Sequence, residues 1–309
     1  MSDKQSRRSF LSNSAFATAA LVSAPLIRVG AEPGERVLKD NLRKKKQRYK
    51  VSVCDWMILK RQKMGAFKRT AEIGADGLEL DMGGLGNRPI FDNKMRDPVF
   101  RKMFREELEK YNLELSSIAM SGFYAQSLAE RDIAPMIDDA INSMVMMGVK
   151  TSFLPFGVKG DMVQNPELRP ILLQKFKEIV VPKAEAADVI IGIETAYDAA
   201  REAEFLEEIG SPNIQSYFNF ANALQNDRDL IKELETLGKD RICMIHASDE
   251  DGVWLENNER IDMSAVKKCL DDIGWGGWLV IERSRDANNP RDVVGNYGAN
   301  TRYLKSIFQ

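Results

Sequence analysis

The chain has 309 residues, 44 Lys and Arg against 46 Asp and Glu, a formal net charge of −2 and 44% hydrophobic residues. That is the balance of an ordinary globular protein, and it lacks the basic excess that marks a nucleic-acid partner. Cys54, Cys243 and Cys269 are an odd number, lie far apart and show no C-x-x-C spacing, so neither a disulfide framework nor a cysteine zinc site is expected.

At the N-terminus, S-R-R-S-F-L (6–11) precedes the apolar run A-F-A-T-A-A-L-V-S-A-P-L-I (15–27). The run is short of the roughly 20 apolar residues that span a bilayer but suits the core of an export signal. Paired arginines followed by Phe-Leu resemble the twin-arginine signal, and Val29-Gly30-Ala31 offers a small-residue cleavage site. The expectation is a signal at 1–31, a basic linker at 32–47 and an exported, periplasmic domain from 48 to 309 with no stable membrane insertion.

From Val51 onward, short apolar runs alternate with longer amphipathic ones, as in parallel strands joined by helical crossovers. Strands are predicted at 51–56, 77–81, 115–120, 151–156, 189–194, 214–219, 242–246 and 278–282. Helices are predicted at 61–75, 97–111, 132–147, 166–187, 199–209, 227–237, 262–273 and 290–308. Eight such pairs in about 260 residues predict a single-domain α/β fold, the (β/α)8 TIM barrel. A doubly wound open sheet uses the same alternation but gives no reason for eight regular units.

In a barrel of this kind, catalytic side chains converge at the C-terminal strand ends. Glu194 closes the fifth strand in I-G-I-E-T, Asn219 the sixth in S-Y-F-N-F-A-N, His246 the seventh in M-I-H-A-S-D and Glu282 the eighth in L-V-I-E-R-S. His246 is the only histidine. One polar residue after a strand ordinarily begins a loop, but four in succession would meet in one cavity. Two carboxylates, an amide oxygen and an imidazole suit Mn²⁺ or Mg²⁺, with Zn²⁺ or Co²⁺ admitted by the histidine. Such an ion would polarise a sugar carbonyl and stabilise the enediolate left when the neighbouring carbon loses its proton.

On the G-I-E at 192–194, I-H-A-S-D at 245–249 and G-W-L-V-I-E-R at 277–283, the chain resembles the xylose isomerase-like barrel superfamily, in its sugar phosphate isomerase/epimerase-like branch. The resemblance implies that Glu194, His246 and Glu282 bind metal and that the two glutamates act as acid and base on a ketose. The family pattern usually has Asp where this chain has Asn219, followed three residues later by His or Asn, here Asn222. The change lowers the ligand charge from three to two and leaves room for a degenerate site. The expected activity is metal-dependent isomerisation or epimerisation of a small, non-phosphorylated sugar or keto-sugar. Elimination from a 3-keto-glycoside and non-catalytic sugar binding are the alternatives. The superfamily also contains endonuclease IV-like DNA repair enzymes, but those use many histidines. Oligomeric state, including a homo-oligomer, stays open.

Further substrate-binding candidates are Glu79, which shares a side of the second strand with Asp81, and Trp56 and Tyr124, placed in loops after the first and third strands. Arg283 and Arg285 follow Glu282, and Asp249 could orient a ligand. The glycines at 83, 84 and 86 lack the spacing of a dinucleotide fingerprint and are read as a loop over the site.

Overall fold

Strand pairing runs β1 to β8 in chain order and closes between β8 and β1, every pair parallel. This comes from a computed structural model that describes residues 47–309, which form one compact unit. The predicted export signal at 1–31 and the linker up to residue 46 lie outside the described residues. The elements are β1 (Tyr49–Cys54), α1 (Gly65–Ile73), β2 (Gly77–Asp81), α2 (Pro98–Lys110), β3 (Glu114–Ala119), α3 (Ala134–Met147) and β4 (Thr151–Pro155). They continue with α4 (Leu168–Lys175), α5 (Val181–Ala186), β5 (Ile190–Glu194), α6 (Ala199–Ile209), β6 (Ile214–Asn219), α7 (Phe220–Gln225) and α8 (Leu230–Leu237). The last are β7 (Ile242–His246), α9 (Met263–Asp272), β8 (Gly277–Ile281) and α10 (Val293–Phe308). The predicted (β/α)8 barrel is thus the observed fold.

Local chemistry sets the helix ends. Asp97 accepts the Val99 N–H, and Pro98 supplies a first residue that needs no donor; Asp198, Asp229, Asp262 and Asp292 cap α6, α8, α9 and α10 in the same way. Gly148 ends α3 in the left-handed region, with φ 73°.

The helix predicted over 166–187 is interrupted. A π turn at Phe176–Val180 separates α4 from α5, because Pro182 has no N–H to continue the ladder and its ring crowds the preceding carbonyls. The structure also adds α7, which the sequence reading passed over.

Side chains on each strand alternate between two apolar layers. Val51, Val53, Ile191, Ile193, Ile245, Leu279 and Ile281 pack in the shell shared with the helices. Cys54, Ala119, Phe153, Tyr217, Met244 and Val280 fill the barrel interior. Because Tyr217, Met244 and Val280 point inward, the side chains two residues further on, Asn219, His246 and Glu282, point inward one layer higher. The same period places Glu194 above Gly192, where a Cβ would come within 2.6 Å of Cys243 Sγ.

Among the described residues, no helix is long and apolar enough to cross a membrane.

Candidate active site

The four strand-end side chains meet. The Asn219 amide Nδ2 donates to Glu194 Oε2 at 2.8 Å and to Glu282 Oε2 at 3.3 Å. His246 Nδ1 lies 3.2 Å from Glu194 Oε2 and 3.8 Å from Glu282 Oε2. On the other side of the carboxylates, the Tyr124 hydroxyl is 3.2 Å from Glu194 Oε1 and 3.0 Å from Glu282 Oε1. The two carboxyl groups are therefore bridged twice, by Asn219 and by Tyr124.

The second bridge constrains protonation. A phenol carries one hydrogen, which here stands between two acceptors. One hydrogen shared between two acceptors leaves a close pair of carboxyl groups short of donors, which favours a proton on one of the two. Glu282 is the better holder: burial raises its pKa above the usual carboxylate range, and the Glu194 charge adds to this against the opposing His246. Burial, with the charges of Glu194 and Glu282, keeps the Tyr124 phenol far above its ordinary value, so it remains a neutral donor.

His246 is fully buried, wedged edge-on against Phe153 (ring centroids 4.7 Å apart) and tilted against Tyr217 (4.6 Å). Burial alone would lower its pKa, but the Glu282 charge and hydrogen bonds to Glu194 and Glu79 outweigh it and push the imidazole up to about 10.

Glu79, proposed to hold a substrate hydroxyl, is completely buried beneath the histidine. Its Oε1 accepts from Tyr217 at 2.8 Å and Ser117 at 2.9 Å. Its Oε2 accepts from the Cys54 thiol at 3.2 Å and faces His246 Nε2 at 3.4 Å. It is thus a fully supplied acceptor that orients the imidazole and leaves Nδ1 toward the other glutamates, and it does not line the cavity.

Above the cluster opens a cavity of about 390 Å³, lined by Tyr124, Glu194, Asn219, Asn222, Glu282 and Arg283 among others. Asp161 and Glu250 also line it, so four carboxylates face one guanidinium.

Of the other sequence candidates, Arg283 reaches the cavity. Arg285 instead chelates Asp251, at 3.0 Å through Nε and 2.5 Å through the terminal nitrogen. Trp56 stacks on Phe153 at 6.4 Å inside the barrel rather than on the cavity wall. Tyr124 serves through its hydroxyl rather than as an aromatic platform. Asp249 accepts from Asn258 and pairs with Arg260, away from His246. Asp81 accepts the Gly83 N–H and pairs with Arg61. The glycine-rich loop after β2 packs Leu85 and Phe91 under Gly122 and does not line the cavity.

A buried acid missed by the sequence reading, Glu202 on α6, lies behind Thr195 and accepts its hydroxyl at 2.6 Å. Burial, partly offset by the nearby Ser216 and by the Thr195 hydrogen bond, raises its pKa from 4.5 to about 7. The folded state therefore holds this proton more tightly than the unfolded chain. Its stabilising contribution is complete below about pH 4.5 and is lost as pH rises through about 7. Between pH 5 and pH 8 the native protein should lose on the order of 2 kcal/mol relative to Glu202→Gln. Urea unfolding of both proteins at the two pH values measures this, and parallel behaviour would refute it.

The donor set also tests a divalent cation. His246 Nδ1 stands 3.2 and 3.8 Å from the facing glutamate oxygens, close to the ~3.0–3.4 Å between ligands that share one ion at about 2.1 Å. Glu194, His246 and Glu282 therefore fit. Asn219 does not match the expectation of an oxygen ligand, since it turns its amide nitrogen to the carboxylates while Oδ1 accepts the Ala221 N–H at 2.9 Å. A second group, Cys54, Glu79 and His246, has its ligand atoms within 4.8 Å of one another below the imidazole. There the thiol is held protonated by burial and by the Glu79 charge.

A closed parallel barrel with a polar cluster at its C-terminal mouth defines a TIM-barrel protein whose chemistry belongs at that end. The chain belongs to the xylose isomerase-like TIM barrel family, whose sequence profile matches residues 67–307. Similar solved structures include D-psicose 3-epimerase from Clostridium cellulolyticum H10 with D-tagatose (13% identity, 84% of this chain and 99% of that one, TM-score 0.67). The apo 3-keto-D-glucoside 4-epimerase YcjR from E. coli is similar at 14% identity over 84% and 99%, TM-score 0.64. The IOLI protein, solved with a zinc atom, is similar at 13% identity over 84% and 99%, TM-score 0.65. At these identities the likeness establishes the fold. Among curated protein sequences no match is found.

Proposed function

We propose that this protein is a sugar isomerase or epimerase that moves a proton at the carbon next to a carbonyl, on a non-phosphorylated sugar or keto-sugar. The observation that carries the reading is the pairing of Glu194 and Glu282 at the cavity floor, bridged by Asn219 and Tyr124, where burial and the neighbouring charge favour a proton on Glu282. Two titratable groups held in opposite protonation states are an acid and base pair. Glu194 takes the substrate C–H proton, and Glu282 delivers one to the opposite face for epimerisation or, after relay through the enediol, to the neighbouring carbon for isomerisation. Tyr124 O–H and Asn219 N–H are engaged by the two carboxyl groups and hold the pair in place.

A divalent cation would be held by Glu194, His246 and Glu282; Mn²⁺ or Mg²⁺ suits the carboxylates, and Zn²⁺ or Co²⁺ the imidazole. When bound it supplies Lewis-acid polarisation of the sugar carbonyl. The neighbours' epimerase activities and the zinc of the IOLI protein support this assignment. Four carboxylates against Arg283 disfavour a phosphate dianion and favour a neutral polyol. A twin-arginine signal at 1–31 and a periplasmic location accord with such a substrate, since phosphorylated sugars are chiefly intracellular.

The test is incubation in ²H₂O with D-tagatose, D-allulose, D-fructose and 3-keto-glucosides, each with and without added Mn²⁺. Deuterium should enter at the carbon beside the carbonyl, together with conversion to an epimer or isomer. Binding without exchange would make the protein a sugar-binding barrel, and release of the aglycone would make it a lyase.

A further inference from the structure

We infer that Asn219 is a hydrogen-bond donor standing where a fourth metal ligand would be, so that this site holds a divalent cation through Glu194, His246 and Glu282 alone. The inference rests on the proposed site but not on its reaction. A carboxamide has one accepting end and one donating end, and the backbone decides which faces inward. Oδ1 accepts the Ala221 N–H at 2.9 Å, in the first turn of α7, where backbone donors have no partner within the helix. Nδ2 is thereby aimed at Glu194 Oε2 and Glu282 Oε2, and its two hydrogens serve one carboxylate each. Turning the amide over would set its NH₂ group against the Ala221 N–H and its carbonyl oxygen against two carboxylate oxygens. Without a cation between the oxygens both contacts are repulsive, and the buried side chain keeps its donating end toward the carboxylates.

An aspartate at this position could cap α7 with one oxygen and offer the other to a cation; asparagine can do only one of the two. The amide instead neutralises the facing carboxylates by hydrogen bonding, the work that a bound ion would otherwise do. The cation affinity should be correspondingly low and should be restorable by changing one atom.

The experiment is calorimetric titration of metal-free protein with Mn²⁺, without sugar. Asp and Asn are comparable helix caps, so Asn219→Asp retains the start of α7. It should bind Mn²⁺ about tenfold more tightly or better, because ligand charge is the main control on affinity for hard cations. Affinity no higher than that of the unsubstituted protein, or no binding by either, overturns the inference. Asn219→Ser guards against a misfolded aspartate variant, because serine also caps the helix but removes the amide. If Asn219 is a donor, Asn219→Ser binds Mn²⁺ as well as the unsubstituted protein or better; if it ligates through oxygen, that variant binds about tenfold more weakly. The titration needs no turnover, so a failed sugar assay beside a tighter Asn219→Asp would reject the proposed reaction and leave this assignment standing.

Discussion

Glu194→Gln is expected to slow deuterium entry into the sugar by about 10³-fold, within the 10²–10⁴ range contributed by a positioned general acid or base. Glutamine keeps the length of the side chain and can still accept from Asn219 through its oxygen; at saturating Mn²⁺, which offsets the lost ligand charge, what is lost is the capacity to take a proton. Glu282→Gln should behave differently. Burial and the Glu194 charge raise the Glu282 pKa and favour the proton there, and a glutamine imitates the protonated state, with an N–H where the acid O–H stood. This variant should retain exchange on one face of the substrate while losing conversion to the other stereoisomer by 10²-fold or more. Neither change should reduce thermal stability greatly, since each removes a buried carboxyl from a crowded pair. Comparison of ²H incorporation with product formation for the two variants decides the assignment. If Glu282→Gln abolishes exchange and Glu194→Gln spares it, the roles are reversed. Full activity in both would remove the glutamates from the chemistry altogether.

The barrel and the meeting of four side chains were legible because both follow from periods. Apolar runs of five or six residues, separated by amphipathic stretches, specify eight β/α units, and the two-residue strand period carries a polar strand end into the barrel mouth. The orientation of an amide was not legible. Asn219 suggests a ligand because it ends a strand, yet it also precedes F-A-N-A-L-Q, and an Asn just before helix formers is a cap. Reading the cap would have revealed α7 and, with it, which end of the amide faces inward. Glu79 and Glu194 are indistinguishable by type and by strand face. Only the height of each in the barrel, set by the stagger of the strands, buries one beneath His246 and lifts the other into the cavity. Tyr124 carried an aromatic signal but none for its hydroxyl. Its placement depends on the approach of a 3-10 turn to the next strand, a tertiary contact that no local period encodes.

That approach rests on one residue. Gly157 follows β4 with φ 60° and ψ −167°, a region essentially open only to glycine. A Cβ there would meet Tyr124 O at 2.5 Å, Tyr124 Cα at 2.6 Å and Phe123 O at 2.7 Å. All three are backbone atoms, so no side-chain rotation relieves the clash. The 3-10 turn Ser121–Ala125 would have to retreat, carrying the Tyr124 hydroxyl away from Glu194 and Glu282. Gly157→Ala should therefore cost about 3 kcal/mol, from backbone strain of ~1–3 kcal/mol and the overlap on top of it. In a domain of this size that lowers Tm by roughly 6–12 °C. Measured well below the new Tm, its turnover should fall about 10²-fold, the penalty for displacing a positioning group by around 1 Å. Tyr124→Phe separates the two effects, because it deletes the shared hydroxyl without touching the backbone. It should reproduce the loss of turnover while Tm stays within a few degrees. A Gly157→Ala protein as stable and as active as the original would mean that the tight seat beneath Tyr124 does not hold the bridge in place.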